Sequence, residues 1–380
     1  MKIILVVGAR PNFMKIAPII DAIKEYNRTS GRLLKYCLVH TGQHYDEKMS
    51  KLFFDDLAIP KPDIDLEVGS ASHAEQTAEI IKRFEKVCLQ EKPTHVLVVG
   101  DVNSTIACAL VASKLNIKII HVEAGLRSFD RSMPEEINRI LTDAISDYLF
   151  ITEKSAEENL LKEGVAKEKI FFVGNVMIDT LLKHLQKARE SSILDRLGLR
   201  DGATCLPYGL LTLHRPSNVD DEKVFKNILE ALIEIAKMIP VIFPVHPRTL
   251  GRIKEFKLEG HFAQCPVQKK RPAIYCVEPQ GYLDFLSLTS NARIVLTDSG
   301  GIQEETTVLG VPCVTLRENT ERPVTVTDGT NILTGTQKTD IVRAAASILK
   351  DPDSPAQKKV PPLWDGKAAK RIVEVMARMS

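Results

Sequence analysis

Short apolar, β-branched runs alternate with stretches of helical periodicity along this chain, and the rhythm runs twice. In the first half, strands are predicted at residues 2–8, 34–41, 96–101, 118–124, 148–152 and 170–173. Between them, helices are predicted at 14–26, 73–90, 105–115, 134–144 and 155–163. Strand, helix, strand at this spacing implies a parallel sheet covered on both faces, a Rossmann-like α/β arrangement. The rhythm restarts with strands at 209–213, 241–245, 273–277, 293–297 and 313–316 and helices at 222–238, 282–288, 302–309 and 340–349.

The break falls near Gly174-Asn175, ahead of a helical stretch at 178–190. It divides the chain into an N-terminal domain, residues 1–173, and a C-terminal domain, residues 174–363, with a tail at 364–380 carrying one more helix. A chain of 380 residues suits two domains better than one core. In open parallel sheets, ligands bind beyond the carboxyl ends of the strands. The chemistry-bearing motifs of this sequence all follow predicted strands.

Composition narrows the class. With 44% hydrophobic and 26% charged residues the chain reads as a globular protein. A formal charge of +2 argues against a general grip on nucleic acid, which needs a clustered basic surface. No apolar stretch is long enough to span a bilayer, and the apolar start is cut short by Arg10-Pro11, so it reads as a first strand rather than a signal peptide. The seven cysteines are scattered and form no Cys-x-x-Cys pair, which fits free thiols in a reducing cytoplasm.

The most informative stretch is Asp298-Ser299-Gly300-Gly301-Ile302-Gln303-Glu304-Glu305. It follows an apolar strand and opens a helix, so its free N–H groups and helix dipole favour a phosphate or diphosphate. Ser299, Gly300 and Gly301 would cradle the phosphate. Glu305, about one helical turn on, is placed to accept hydrogen bonds from a ribose diol. Gly-x-Gly-x-x-Gly and the Gly-Lys-Ser/Thr P-loop are both missing from the sequence, so nothing supports a separately bound dinucleotide.

In the first half, Gly8-Ala9-Arg10-Pro11 puts Arg10 at a sheet edge, where it can bind phosphate, and Lys15 adds charge from the following helix. Asp101, after a strand, is either a helix cap or an acid/base group. Glu123, in His121-Val122-Glu123-Ala124-Gly125-Leu126-Arg127, lies where an apolar strand ends, and burial without a partner would be costly. In Met133-Pro134-Glu135-Glu136-Ile137-Asn138-Arg139, Pro134 suits a first helical turn, and Glu135 and Arg139 are spaced to pair on one face. Asp101, Glu123 and Glu135 together suit proton transfers on two faces of a bound sugar. In the second half, His214-Arg215-Pro216 and His246-Pro247-Arg248 follow strands, with the prolines suggesting rigid exits, and Arg322 is a further phosphate-facing candidate.

As a set and in this order, these motifs resemble the non-hydrolysing UDP-N-acetylglucosamine 2-epimerases over almost the whole chain. The resemblance implies two Rossmann-like domains facing across a cleft, of the glycosyltransferase-B type. It implies a C-terminal UDP-binding domain, a C-terminal helix returning to the N-terminal domain, a homodimer, a UDP-sugar substrate and no cofactor. The implied reaction interconverts UDP-N-acetylglucosamine and UDP-N-acetylmannosamine. Anti elimination of UDP gives 2-acetamidoglucal, and re-addition inverts C2. By motif position, Asp101, Glu123 and Glu135 become the acid/base carboxylates, without an assignment of face. Arg10, Lys15, Arg139 and His214 serve the diphosphate and the charge around the sugar. Arg322 completes the nucleotide site. Gln43, His44, Arg215 and His246 match parts of a second, activating site found in some members.

The sequence departs from the common pattern at Ala9 and Asn12, within Gly-Ala-Arg-Pro-Asn, at Tyr45-Asp46, and at Val324 after Glu-Arg-Pro. These departures keep open a 2-epimerase acting on a UDP-diacetamido uronic acid. A glycosyltransferase of the same fold and a catalytically silent nucleotide-sugar sensor are rival functions. The acidic set disfavours the sensor.

Overall fold

The computed structural model describes residues 1–42, 60–202, 204–267, 272–351 and 359–379. Its contacts divide into two units, Met1–Lys183 with Pro362–Ser380, and His184–Pro361.

The first unit is a seven-stranded parallel sheet flanked by helices. Its strands are β1 (Lys2–Val7), β2 (Lys35–His40), β3 (Ile64–Asp65), β4 (His95–Val99), β5 (Lys118–Ala124), β6 (Tyr148–Ile151) and β7 (Ile170–Phe172), in the order β3-β2-β1-β4-β5-β6-β7. The helices are α1 (Arg10–Ser30), α2 (His73–Glu91), α3 (Asn103–Lys114), α4 (Pro134–Ile145) and α5 (Lys154–Lys162), and α6 (Val176–Arg189) begins in this unit and ends in the second. Every residue of β4 is buried, as a strand covered on both faces requires. Strand order reverses between β1 and β4, so the ligand-binding crevice of this sheet type lies beyond those two strand ends.

Helix α1 begins at Arg10, ahead of the expected residue 14, because Pro11 fits a first turn where no N–H bond is lost. Asn12 then ties the switch point together. Its Oδ1 accepts the N–H groups of Gly8 and Ala9 at 3.2 and 2.8 Å, and its Nδ2 donates to the Val99 carbonyl at 3.0 Å.

After the end of α6 the second unit continues with α7 (Ile193–Arg196) and a small antiparallel pair, β8 (Arg200–Asp201) and β9 (Thr204–Cys205). Its main sheet contains β10 (Gly209–Thr212), β11 (Val241–Pro244), β12 (Phe262–Gln264), β13 (Ile274–Val277), β14 (Ile294–Thr297), β15 (Cys313–Thr315) and β16 (Asn331–Leu333). All pairs are parallel, in the order β12-β13-β11-β10-β14-β15-β16. The helices are α8 (Pro216–Val219), α9 (Glu222–Ala236), α10 (Pro247–Glu255), α11 (Tyr282–Asn291), α12 (Gly300–Leu309), α13 (Val324–Thr327) and α14 (Lys338–Lys350). Here the order reverses between β10 and β14, whose exits carry His214-Arg215 and Asp298-Ser299-Gly300.

Residues 362–380 belong to the first unit. Helix α15 (Ala368–Arg378) packs on α1. Asp179 caps it, accepting from the backbone N–H groups of Ala368 and Ala369 at 3.1 and 2.8 Å, and Trp364 Nε1 donates to the Thr152 carbonyl at 3.0 Å.

Candidate active site

In the first unit the candidate residues gather at the carboxyl ends of β1, β4 and β5. Glu123 occupies a bulge in β5: the register with β6 shifts between Val122 and Ala124, and Glu123 adopts φ +73°. For a side chain with a Cβ that conformation costs about 1–3 kcal/mol and persists only where the surroundings enforce it. The carboxylate is buried and meets Lys15 at 2.5 Å, Nζ to Oε2. Lys15, one turn into α1, is therefore a buried counter-ion rather than a solvated lysine. A Cβ on Gly100 would stand 3.2 Å from the same ammonium, so the exits of β4 and β5 close around one charge.

Asp101 is not the cap of α3, a place held by Val102. Its Oδ2 instead accepts from Arg139 Nε at 3.0 Å. The expected Glu135–Arg139 pair does not form. Arg139 bonds to Glu136 Oε2, three residues away on the buried face of α4, while Glu135 is half-buried in the first helical turn with no ion pair among the described residues. Glu136, which sequence reasoning does not single out, also accepts the N–H groups of Ser128 at 3.0 Å and Phe129 at 2.9 Å. An unbroken chain of contacts thus runs from the 128–129 loop through Glu136 and Arg139 to Asp101. Arg10 is the first residue of α1, and its side chain, like Gln43 and His44, lies outside the described residues.

In the second unit the glycine turn is built as the sequence implies. Ser299 is the N-cap residue of α12 and its hydroxyl makes no capping bond. No acidic residue occupies the first turn of α12, whose N-terminal end has the polarity that suits an anion. The two glycines differ. A Cβ on Gly300 would come within 2.5 Å of Glu321 Oε1, whereas one on Gly301 would meet nothing within 4 Å. A side chain at Gly300 would push the Glu321 carboxylate away from its place beside Arg317 and Arg215, whereas Gly301 keeps open the approach to the helix end.

Asp298, fully buried, organises the neighbouring loop. Its Oδ2 accepts the N–H groups of His214 and Arg215 at 2.9 and 2.8 Å, and its Oδ1 lies 3.1 Å from His214 Nδ1. Burial opposes charge on Asp298, but His214 and these backbone donors hold its pKa below the ordinary carboxylate value. The half-exposed His214 ring lies 5.7 Å from that of His246, centroid to centroid. His246 caps α10, its Nδ1 accepting from Arg248 N at 3.2 Å, and burial, together with His214 and Arg248, lowers its pKa. Arg215 reaches Glu321 at 3.6 Å, and Glu321 is also bonded to Arg317 at 2.9 Å. Arg322 is buried with Nε 2.6 Å from Glu304 Oε1, so its charge is already matched.

Glu305 lies on the buried side of α12. Its Oε1 accepts from the Tyr282 hydroxyl at 3.3 Å, and its Oε2 has no hydrogen-bond partner among the described residues. Burial raises its pKa to about 7, with Tyr282 opposing and Glu304 adding to the rise. A buried carboxylate oxygen without a partner is costly and fits a site awaiting hydroxyl donors.

The family model for UDP-N-acetylglucosamine 2-epimerase matches residues 27–377. A UDP-N-acetylglucosamine 2-epimerase of Methanocaldococcus jannaschii is 46% identical over 378 residues, covering 99% of each chain. The crystal structure of the M. jannaschii UDP-GlcNAc 2-epimerase in complex with UDP-GlcNAc and UDP is similar over 100% of both chains, with a TM-score of 0.87 and 45% identity. A UDP-2,3-diacetamido-2,3-dideoxy-D-glucuronate 2-epimerase of Pseudomonas aeruginosa is 42% identical over 382 residues, covering 100% of both. The likeness to the crystal structure over the full chain carries the fold class expected from the sequence, two Rossmann-like domains of the glycosyltransferase-B type. On the family match and these full-length identities, the chain belongs to the UDP-N-acetylglucosamine 2-epimerase family.

Proposed function

We propose that this protein interconverts UDP-N-acetylglucosamine and UDP-N-acetylmannosamine by eliminating and re-adding UDP. The observation that carries the reading is the buried Lys15–Glu123 pair at a strained strand end, beside the Arg139-held Asp101. Strain and buried charge of this kind collect where chemistry is done. The relatives named above support the substrate.

The C2–H bond of the sugar is not adjacent to a carbonyl and resists direct deprotonation. Departure of UDP from C1 builds oxocarbenium character and acidifies that hydrogen. One carboxylate of the first unit takes the C2 proton as the C1–O bond breaks and UDP leaves with the bonding pair, giving 2-acetamidoglucal. A carboxylate on the other face then returns a proton to C2, and the diphosphate oxygen re-forms the bond to C1. Asp101, Glu123 and Glu135 are the acid/base set. The diphosphate is assigned to Ser299, Gly300 and Gly301, with Arg10, His214 and Arg322 as cationic or hydrogen-bonding support, and the ribose to Glu305. Electrostatic stabilisation of the departing diphosphate is the expected main source of rate.

The 42% identical P. aeruginosa relative favours a second reading, a substrate bearing a uronate and two acetamido groups. Incubating the purified protein with each UDP-sugar alone decides between them. Conversion of UDP-N-acetylglucosamine to its C2 epimer is expected. Turnover of the diacetamido uronate alone would transfer the assignment to the second reading, and transfer to an added acceptor without epimerisation would point to a glycosyltransferase.

Arg215 and His246 are proposed to belong, with Gln43 and His44, to an activating site for a second UDP-sugar. A homodimer and a cytoplasmic setting complete the reading. The free cysteines fit a reducing compartment.

A further inference from the structure

We propose that His121 is a positioning residue that staples the exits of β4 and β5, and so fixes the spacing of Asp101 and Glu123. The inference rests on the acid/base assignment of those two carboxylates.

His121 lies on β5 two residues before Glu123 and is fully buried. Its Nε2 is 2.9 Å from the carbonyl oxygen of Gly100, the residue before Asp101. Its Nδ1 is 2.6 Å from Asp143 Oδ1 on α4. The other oxygen of Asp143 accepts from Gly125 N at 3.0 Å, two residues after Glu123, and lies 2.8 Å from Arg127 Nη1. Arg127 in turn makes a two-pronged pair with Glu163 at 2.8 and 2.6 Å. One ring and one carboxylate therefore tie the backbone just before Asp101 to the backbone on both sides of Glu123.

The hydrogen-bond roles are constrained. A carbonyl oxygen only accepts, so Nε2 carries a hydrogen. Burial opposes charge on Asp143, but His121 and Arg127 beside it hold its pKa below the ordinary value. Across the 2.6 Å from Nδ1 to Asp143 the ring and the carboxyl share one hydrogen, so both ring nitrogens are hydrogen-bonded. Arg127 is buried and paired with the buried Asp143 on one side and the exposed Glu163 on the other. A matched and fully bonded network of this kind is rigid, and removing one member is costly. The strained φ of +73° at Glu123 needs such an enforcing neighbour.

The full-length protein tests this in two ways. Nitrogen NMR of histidine-labelled protein is expected to show Nε2 of His121 carrying a hydrogen, assigned by the signal lost in His121→Gln. An Nε2 without a hydrogen would overturn the proposal, whatever the substrate. In kinetics, His121→Gln keeps one donor and loses the other. Its kcat for epimerisation is expected to fall about 100-fold, the size of effect an ångström of misplacement produces. UDP affinity is expected to stay within roughly twofold, because a positioning role leaves nucleotide binding intact. Asp143→Asn can keep every hydrogen bond around a neutral ring and is expected to retain kcat within about tenfold of wild type. Unchanged kcat in His121→Gln, or equal loss in both variants, would contradict the staple. If wild type makes no C2 epimer, the functional reading fails instead, and the NMR together with amide exchange at Gly125, expected to quicken in His121→Gln, still judges the staple. Unchanged exchange there would overturn it.

Discussion

Lys15 Nζ stands 2.5 Å from Glu123 Oε2, and both groups are buried. The pair joins the second turn of α1 to the bulged end of β5, which the sequence separates by more than a hundred residues. A proton carrier in this position must stay hydrated or paired to remain charged, and here it is paired.

Breaking that pair from one side should cost more than breaking it from both. Lys15→Met removes the ammonium that the buried Glu123 carboxylate faces, and a loss of about 3–5 kcal/mol is expected in urea unfolding. Adding Glu123→Gln should recover a substantial part of it. Alone, Glu123→Gln is expected to abolish turnover at near-constant shape while UDP binding survives. A Lys15→Met protein as stable as wild type would remove the pair from the energetics of this site.

Arg139 bonds to both Asp101 and Glu136, a geometry that suits a fork rather than a point charge. Arg139→Lys keeps the charge and loses the fork. Steady-state kinetics should show kcat reduced on the order of 100-fold by the misplaced Asp101, with UDP binding by the second unit unchanged. Equal kcat in the two proteins would show that Asp101 does not need this support.

The two glycines of the phosphate turn should respond differently to one methyl group. Gly300→Ala drives a Cβ to 2.5 Å from Glu321 Oε1 and is expected to destabilise the fold. Gly301→Ala meets no atom within 4 Å and gains helix propensity, so its melting temperature should hold or rise. Its UDP affinity should nevertheless fall tenfold or more, roughly the 1.4 kcal/mol of one lost contact. Calorimetric titration beside thermal melts separates the two effects. A Gly301→Ala protein that binds UDP normally would move the phosphate elsewhere.

Glu305 gives a pH dependence with a definite sign. Burial raises its pKa from 4.5 to about 7. The folded protein therefore holds this proton more tightly than the unfolded chain, and the stabilisation is complete below pH 4.5 and lost as pH rises to about 7. Ribose hydroxyls donating to the ionised carboxylate relieve that loss. The thermal shift given by UDP-N-acetylglucosamine should grow with pH across this window in wild type, and Glu305→Gln should lack that part of the growth. Parallel pH profiles in the two proteins would take Glu305 out of the nucleotide site.

The α/β rhythm and the glycine turn are legible in the sequence because both are local patterns: apolar runs of strand length, and a Gly-Gly pair opening a helix. The counter-ions are not. Lys15 could equally be a solvated helix residue, since nothing in its neighbourhood announces Glu123. At Glu135-Glu136 the chemistry of adjacent glutamates is identical, and only the helix face distinguishes them. The signal is the three-residue spacing from Glu136 to Arg139, on the face that also buries Thr142 and Asp143. Helix α10 escapes the periodicity because Pro247 looks like a breaker, although proline is at home in a first turn. The edge strands β3, β12 and β16 are too short for their alternation to stand out. Asp143 and Asp298 act on backbone groups far along the chain, a relation that only folding creates.

Turnover of UDP-N-acetylglucosamine in heavy water, followed by NMR at the sugar's C2 position, tests the elimination route most directly. Each epimerised molecule should carry solvent deuterium at C2, and the wash-in should vanish in Glu123→Gln. Inversion with the original C2 hydrogen retained would contradict a mechanism in which these carboxylates remove one proton and return another.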